Sequence, residues 1–371
     1  MSDSAPAGDA AGLRVDPEAA RAATLPGRFY TDPALFARLR ETLFPRSWQL
    51  VGDADEVRLP GQVRPLVLLE GLLDEPLLLS RDRDGSLRLL SNVCTHRGAL
   101  LCESPAAVAG LRCRYHGRRF ALDGRFLSMP EFGGAERFPR PEEDLRRAAL
   151  GSLGRLLFGS LDPALPLEAL LGPVRHRCGH LPWDEAVLDP ARSRDYDVKA
   201  HWALYCDNYL EGFHVPYVHP ELSRALDAGA YRTELFPYAT LQLGVASGGQ
   251  DVFELPAGHP DSGTAVAAWY WWLWPSTMLN VYPWGVSVNA VLPLGPAATR
   301  VRFLSYVWDP SRLDRGAGSG LHRVELEDEA VVESVQRGVA SRLYPGGRFS
   351  PARETGVHHF HRLLARAAAE G

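Results

Sequence analysis

Apolar positions first fall into a helical rhythm at DPALFARLRETLF, residues 32–44, where Leu35, Phe36, Leu39 and Leu43 share one stripe. Asp32 is placed to cap that helix and Pro33 to occupy its first turn. Upstream, the Ala-, Gly-, Pro- and Asp-rich residues 1–26 read as a flexible tail, with a short helix at Pro17–Ala23 as the alternative. From Trp48 to about Leu161, short apolar runs such as VRPLVLLE, EPLLLSR and LRLLSNV are broken by Gly, Pro and Asp-Gly, which predicts antiparallel β structure. DPALPLEALLGP (162–173) reads as a join. Beyond it, HWALYCDNYLEGFH predicts a helix, and AVAAWYWWLWPSTMLNVYPWGVSVNAVLPL and TRVRFLSYVW predict strands of one sheet. LHRVELEDEAVVESVQRGVASRLY predicts a further helix with Val331, Val332 and Val335 on one face. A last helix follows Ser350-Pro351. GAGSG (316–320) follows a charged turn rather than a strand, so it reads as a loop and not a phosphate cradle.

Composition narrows the class. At 371 residues the chain can build two domains with real cores. Its net charge of -5 argues against a nucleic-acid partner. Five cysteines, an odd number, argue against a disulfide framework and for metal ligands or small buried hydrophobes in a reducing compartment. No apolar run approaches the ~20 residues of a membrane span. The N-terminus lacks the basic start and apolar stretch of a secretory signal, so the expected location is cytoplasmic, with no membrane partner.

The chemistry gathers in two segments. In SNVCTHRGALLCESPAAVAGLRCRYHGRRF (91–120), Cys94 and His96 form one hook, Cys113 and His116 a second. Mixed thiolate and imidazole ligands suit zinc, but structural zinc hooks more often pair Cys with Cys, and a tight C-x-H suits a binuclear cluster. The pattern C-x-H-x16-C-x2-H, inside CTHRG and CRYHG, resembles the Rieske [2Fe–2S] motif. That resemblance implies that Cys94 and Cys113 bind one iron and His96 and His116 the other. Respiratory Rieske proteins add a cysteine to each hook; here Cys102 has no counterpart in the second hook, which points away from that branch. Arg118 stands where oxygenase relatives often have Trp.

In AHWALYCDNYLEGFHVPYVHPEL, Glu211 and His214 are three apart and would share a helix face. Pro216 would bend the chain and return His219 toward them. Two histidines begin a 2-His-1-carboxylate iron site. The third ligand has to come from Glu325, Glu327, Asp328, Glu329 or Glu333 in VELEDEAVVESVQRG. The segment resembles the mononuclear-iron motif of Rieske non-haem iron oxygenase α-subunits, N-x2-E-x2-H-x4-H, at Asn208, Glu211, His214 and His219. The family places an Asp just before Gln-x-Gly in the later helix, which implies Asp328. The neighbouring glutamates read as acidic groups near a helix N-terminus.

The resemblance implies an α+β protein. Residues 46–162 would be an all-β Rieske domain, and residues 163–371 a helix-grip catalytic domain with an antiparallel sheet, residues 27–45 packing on it as a helix. It implies a Rieske [2Fe–2S] cluster, mononuclear Fe(II), and terminal oxygenase activity with O2 on a small organic substrate. In that family the two centres of one chain lie far apart and transfer crosses a subunit boundary in a head-to-tail trimer. Glu211 would therefore bridge His214 to a cluster histidine, His116, of a neighbouring chain in a homotrimer or a multiple of trimers. Electrons would come from an external reductase or ferredoxin, steered by Arg97, Arg112, Arg114, Arg118, Arg119 and Arg125 around the cluster. The segment around the iron motif is most similar to the choline, glycine betaine and carnitine branch. Trp and Tyr faces from WYWWLWPSTMLNVYPW would cage a quaternary ammonium. Against that, Trp274-Pro275-Ser276 departs from the family's Phe-Pro-Asn, and a ring-hydroxylating or O-demethylating enzyme is the alternative. A soluble electron carrier and a non-catalytic ligand-binding protein are readings from other classes. His358, His359 and His361 read as helix-surface packing rather than a third metal site.

Overall fold

The computed structural model describes residues 12–227, 229–249 and 251–370. The chain divides into two compact units, Pro45–Leu165 and a second unit made of the residues up to Phe44 together with those from Pro166 onward.

The second unit opens with α1 (Gly27–Thr31) and α2 (Pro33–Thr42). As expected, the Asp32 carboxylate caps α2 by accepting from the Ala34 amide at 2.8 Å. Residues 1–11 of the expected tail lie outside the described residues, but residues 12–26 are not free. Leu13, Ala22 and Leu25 are buried, the Leu25 amide donates to His361 Nδ1 at 3.0 Å, and Ala23 forms a bridge with Arg348. Nor is there a helix at 17–23; the amides of Arg21 and Ala22 close a single turn on the Glu18 carbonyl.

The Pro45–Leu165 unit is all β, as expected. Its long strands are β1 (Gln49–Asp53), β2 (Gln62–Leu68), β3 (Glu75–Arg81) and β4 (Leu87–Ser91). Short strands follow: β5 (Ala106–Ala107), β6 (Leu111–Arg112), β7 (Arg119–Phe120) and β8 (Phe126–Ser128). β9 (Arg147–Leu153) and β10 (Leu156–Ser160) close it. An antiparallel sheet of order β1-β10-β9-β4-β3-β2-β5 packs with a small sheet β6-β7-β8. Cys94 and Cys113 belong to one apolar cluster with Val63, Leu78, Leu90 and Phe120, so the hooks rise directly from the core.

After α3 (Glu168–Cys178), the second unit builds a sheet from β11 (Val187–Val198), β12 (Arg232–Phe236), β13 (Ala239–Val245) and β14 (Val266–Leu273). β15 (Thr277–Tyr282), β16 (Gly285–Gly295) and β17 (Ala298–Val307) complete it. All neighbours are antiparallel, in the order β11-β17-β16-β15-β14-β13-β12. β13 and β15 are buried along their whole length, polar Thr240, Gln242, Thr277 and Asn280 included. The helices are α4 (Trp202–Tyr209), α5 (Val215–Val218), α6 (Pro220–Ala225), α7 (Leu321–Val339) and α8 (Thr355–Glu370). α4 packs on α7, α8 and β16, which gives the expected helix-grip arrangement.

Three expectations are corrected. The stretch 162–173 is not only a join, because its second half starts α3. Val335 is exposed; the buried face of α7 carries Glu325, Val332, Gln336 and Val339. Gln336 is buried because its side chain accepts from the His201 amide at 2.8 Å. His358 and His361 are core residues rather than surface ones, since His358 reaches the Asp16 carbonyl and His361 pairs with Asp207 at 2.9 Å.

Candidate metal centres and substrate pocket

The two hooks share one turn. In each, the Cys carbonyl accepts from the amide four residues on, Gly98 or Gly117, at 3.0 Å. Those glycines have φ of +73° and +76°, a conformation that strains any residue with a Cβ. The turn therefore demands glycine in CTHRG and CRYHG alike, while the imidazole comes two residues after Cys94 and three after Cys113. Both thiols are 2% exposed, and burial pushes the Cys94 thiol up. A buried thiol fits a structural ligand that ionises only against metal. The His96 and His116 rings meet edge to face with centres 4.7 Å apart, and His116 is exposed. Burial, His116 and Arg97 hold His96 below the usual imidazole range, toward the neutral form a ligand requires. Two buried thiols and two neighbouring imidazoles match the donor set of a binuclear cluster.

Arg118 leaves the proposed basic patch. It is 1% exposed, its guanidinium lies 4.7 Å from the centre of the Phe126 ring, and it pairs with the Glu143 carboxylate at 2.5 Å. Arg97, Arg112, Arg114, Arg119 and Arg125 are exposed. Cys102 is a free thiol that donates to the Ser104 carbonyl.

The second site forms where the chain breaks twice. α4 ends at Tyr209, before Glu211, so the break precedes Pro216 instead of following from it; Pro216 sits in the first turn of α5. The Glu211 carboxylate caps that turn, accepting the amides of Phe213 and His214 through Oε2 and His214 Nδ1 through Oε1 at 2.7 Å. The second break, at His219-Pro220, aims His219 back. His214, His219 and Asp328 each offer a ligand atom, all within 4.8 Å of one another. His219 Nε2 lies 2.9 Å and His214 Nε2 3.5 Å from Asp328 Oδ1, which also accepts from Asn208 Nδ2 at 2.6 Å. With both Nε2 atoms turned to Asp328, each Nδ1 meets a carboxylate: Glu211 for His214, and Glu327 for His219 at 2.8 Å. Carboxylates on the far ring nitrogens fix tautomer and direction, as metal-binding imidazoles require. Two imidazoles and a carboxylate on one side of an open pocket fit a mononuclear iron.

The five candidate carboxylates thus separate. Asp328 joins the histidines and Glu327 orients one of them, a role the sequence reading missed by assigning it to helix electrostatics. Glu333 accepts the Lys199 amide. Glu325 is buried and accepts the Tyr205 hydroxyl at 2.6 Å. Glu329 is half-buried, and burial together with Glu333 and Asp197 raises its carboxyl.

A pocket of about 110 Å³ opens on the His214–His219–Asp328 group. One row across the sheet, Gln242–Tyr270–Asn280–Ser287, forms its back. The aromatic lining is tyrosine, not tryptophan: Tyr205, Tyr209, Tyr231, Tyr270 and Tyr282, with Phe303. Trp269 packs on Phe253, Trp271 on Phe236 and Trp272 on Phe360, all away from the pocket. The alternation of β14 could have shown that Trp269 and Trp271 share a face that excludes Tyr270.

Comparison with known proteins finds two matching domains in this order along the chain. Residues 47–139 match the Rieske [2Fe-2S] domain and residues 186–370 the ring hydroxylating alpha subunit (catalytic domain). The chain belongs to the Rieske non-haem iron oxygenases, as an α-subunit that carries a [2Fe–2S] cluster and a mononuclear iron and acts as a terminal oxygenase on an organic substrate with O2. It is 31% identical to the chloroplastic choline monooxygenase of Arabidopsis thaliana, over 93% of this chain and 82% of that protein. It is 30% identical to the carnitine monooxygenase oxygenase subunit of Escherichia coli K12, over 92% and 93%. A solved structure of a quaternary ammonium Rieske monooxygenase, described for carnitine oxidation and inter-subunit electron transfer, superposes with a TM-score of 0.76 at 25% identity, covering 96% of this chain and 99% of that one. No helix among the described residues is long and apolar enough to cross a membrane.

Proposed function

We propose that this oxygenase hydroxylates or oxidatively dealkylates a quaternary-ammonium compound. One observation carries the reading: five tyrosine rings line the pocket beside the three convergent donors, and among the described lining residues there is no Lys or Arg. Tyrosine faces attract an organic cation that cannot donate hydrogen bonds, and a pocket without basic groups does not repel it. Relatives named for choline and carnitine support the same class.

Cys94, His96, Cys113 and His116 would hold the cluster, and His214, His219 and Asp328 the iron. Bound there, the metals supply O2 binding and electrons, for a net conversion of C–H, O2, two electrons and two protons to C–OH and water. Glu211 and Glu327 keep the imidazoles aimed, and the tyrosines position the substrate. We further propose a head-to-tail trimer in which Glu211 links His214 to His116 of a neighbouring chain, and an external reductase or ferredoxin that docks near the exposed arginines of the hooks. A cytoplasmic setting, which keeps Cys94 and Cys113 reduced for cluster assembly, fits this reading.

The test is a single turnover of the pre-reduced protein with O2 and choline, betaines, carnitine or methoxyarenes, with product and formaldehyde followed by mass spectrometry. Product from a trimethylammonium compound is expected. Turnover with methoxyarenes alone would move the enzyme to the O-demethylating branch.

A further inference from the structure

Glu325 is the anomaly of the pocket. It lines the cavity, is 2% exposed, and is not among the three convergent donors. Its Oε2 accepts the Tyr205 hydroxyl, but its Oε1 is shielded from water and has no hydrogen-bond partner. Burial, with the acidic neighbours Asp328 and Glu329, disfavours the charged form of this carboxyl until a cation faces it. A buried carboxyl with one idle oxygen and no Lys or Arg among the described pocket-lining residues costs stability. Such a violation at a site is expected where the missing partner is the ligand.

We propose that the Glu325 carboxylate is the counter-ion of a cationic substrate, the group by which this pocket tells a charged nitrogen from a neutral centre of the same shape. The inference rests on the quaternary-amine reading and adds the residue that enforces it. The tyrosine faces attract the cation but also accept an isosteric neutral group by apolar contact; the Glu325 carboxylate adds a full charge that only the cation feels. Glu325 lies one helical turn before Asp328 on α7, so the helix that supplies a metal donor also sets the position of the counter-charge. Tyr205 holds one oxygen in place and leaves the other without a partner.

The experiment compares choline with 3,3-dimethylbutan-1-ol, in which carbon replaces the ammonium nitrogen, on the metal-loaded enzyme. Dissociation constants are read by calorimetry for wild type and Glu325→Gln, with iron content and cluster spectrum checked in both. Wild type is expected to prefer choline, and Glu325→Gln to weaken choline by about tenfold or more while binding the neutral alcohol as well as before. Equal choline affinity in the two proteins would overturn the counter-ion role and leave the quaternary-amine reading standing. Wild type that binds neither choline nor other trimethylammonium compounds would overturn both. If the amide variant does not fold, Glu325→Met, an apolar residue of similar length, serves in its place with the same outcomes.

Discussion

At His219 two carboxylates from adjacent positions on one helix do different jobs. Asp328 approaches Nε2 and Glu327 approaches Nδ1, so the ring is held from both sides. Helical geometry permits this because His219 is 1% exposed and lies against the helix, where successive side chains diverge by about 100° around it. Burial alone would lower the basicity of His219, but Asp328 and Glu327 raise it, and the same negative field favours a bound cation. Glu327→Gln keeps the size and removes the charge. It is expected to weaken iron binding at this site by roughly 10- to 100-fold while the cluster keeps its absorption spectrum, as checked by iron titration of apo-protein. Unchanged iron affinity would reduce Glu327 to the helix-end charge that the sequence suggested. Residues in short local motifs, such as Cys94–His96, Cys113–His116 and His214–His219, were legible because spacing along the chain fixes their partners. Glu327, Glu325 and Tyr205 were not, since their partners lie over a hundred residues away and only folding shows them.

Among the elements, those set by local rules were the most readable. The α2 cap, the β-rich first unit and the hook loops follow from Asp-Pro, Gly-rich breaks and turn residues. Elements whose pattern mixes packing with function misled: α7 buries Glu325 and Gln336 and exposes Val335, because the site and the His201 backbone take its inner face. The run of tryptophans likewise reads as a binding cage, yet Trp269, Trp271 and Trp272 find core partners and the tyrosines between and beyond them line the pocket. The hook turn gives an element-scale test. An added Cβ at Gly98 would meet no atom within 4 Å, so Gly98→Ala isolates the backbone strain at φ +73°. That strain should destabilise the cluster-bearing unit by about 1 kcal/mol, seen as earlier loss of cluster absorption in a urea titration. An unshifted transition would mean that the turn relaxes into another conformation without loss.

For the whole molecule, the cluster donors and the mononuclear-iron donors belong to different compact units, and the proposed route between them joins two copies of the chain. That arrangement predicts complementation between inactive variants. Cys94→Ala would lack the cluster, and His214→Ala would lack the mononuclear iron. Neither can turn over alone, and no single chain in a mixture of the two holds both centres. In a ring with head-to-tail contacts, however, a chain with an intact cluster can sit beside one with an intact iron site. If co-expression mixes the two at random in equal amounts, each contact has one chance in two for each correct neighbour, so about a quarter of wild-type activity per chain should return. Product formed in single turnover measures it, with the separately purified variants mixed after assembly as the control. Activity that stays at zero in the co-expressed sample, with mixed assemblies verified by mass, would place electron transfer within one chain and remove the bridging role of Glu211.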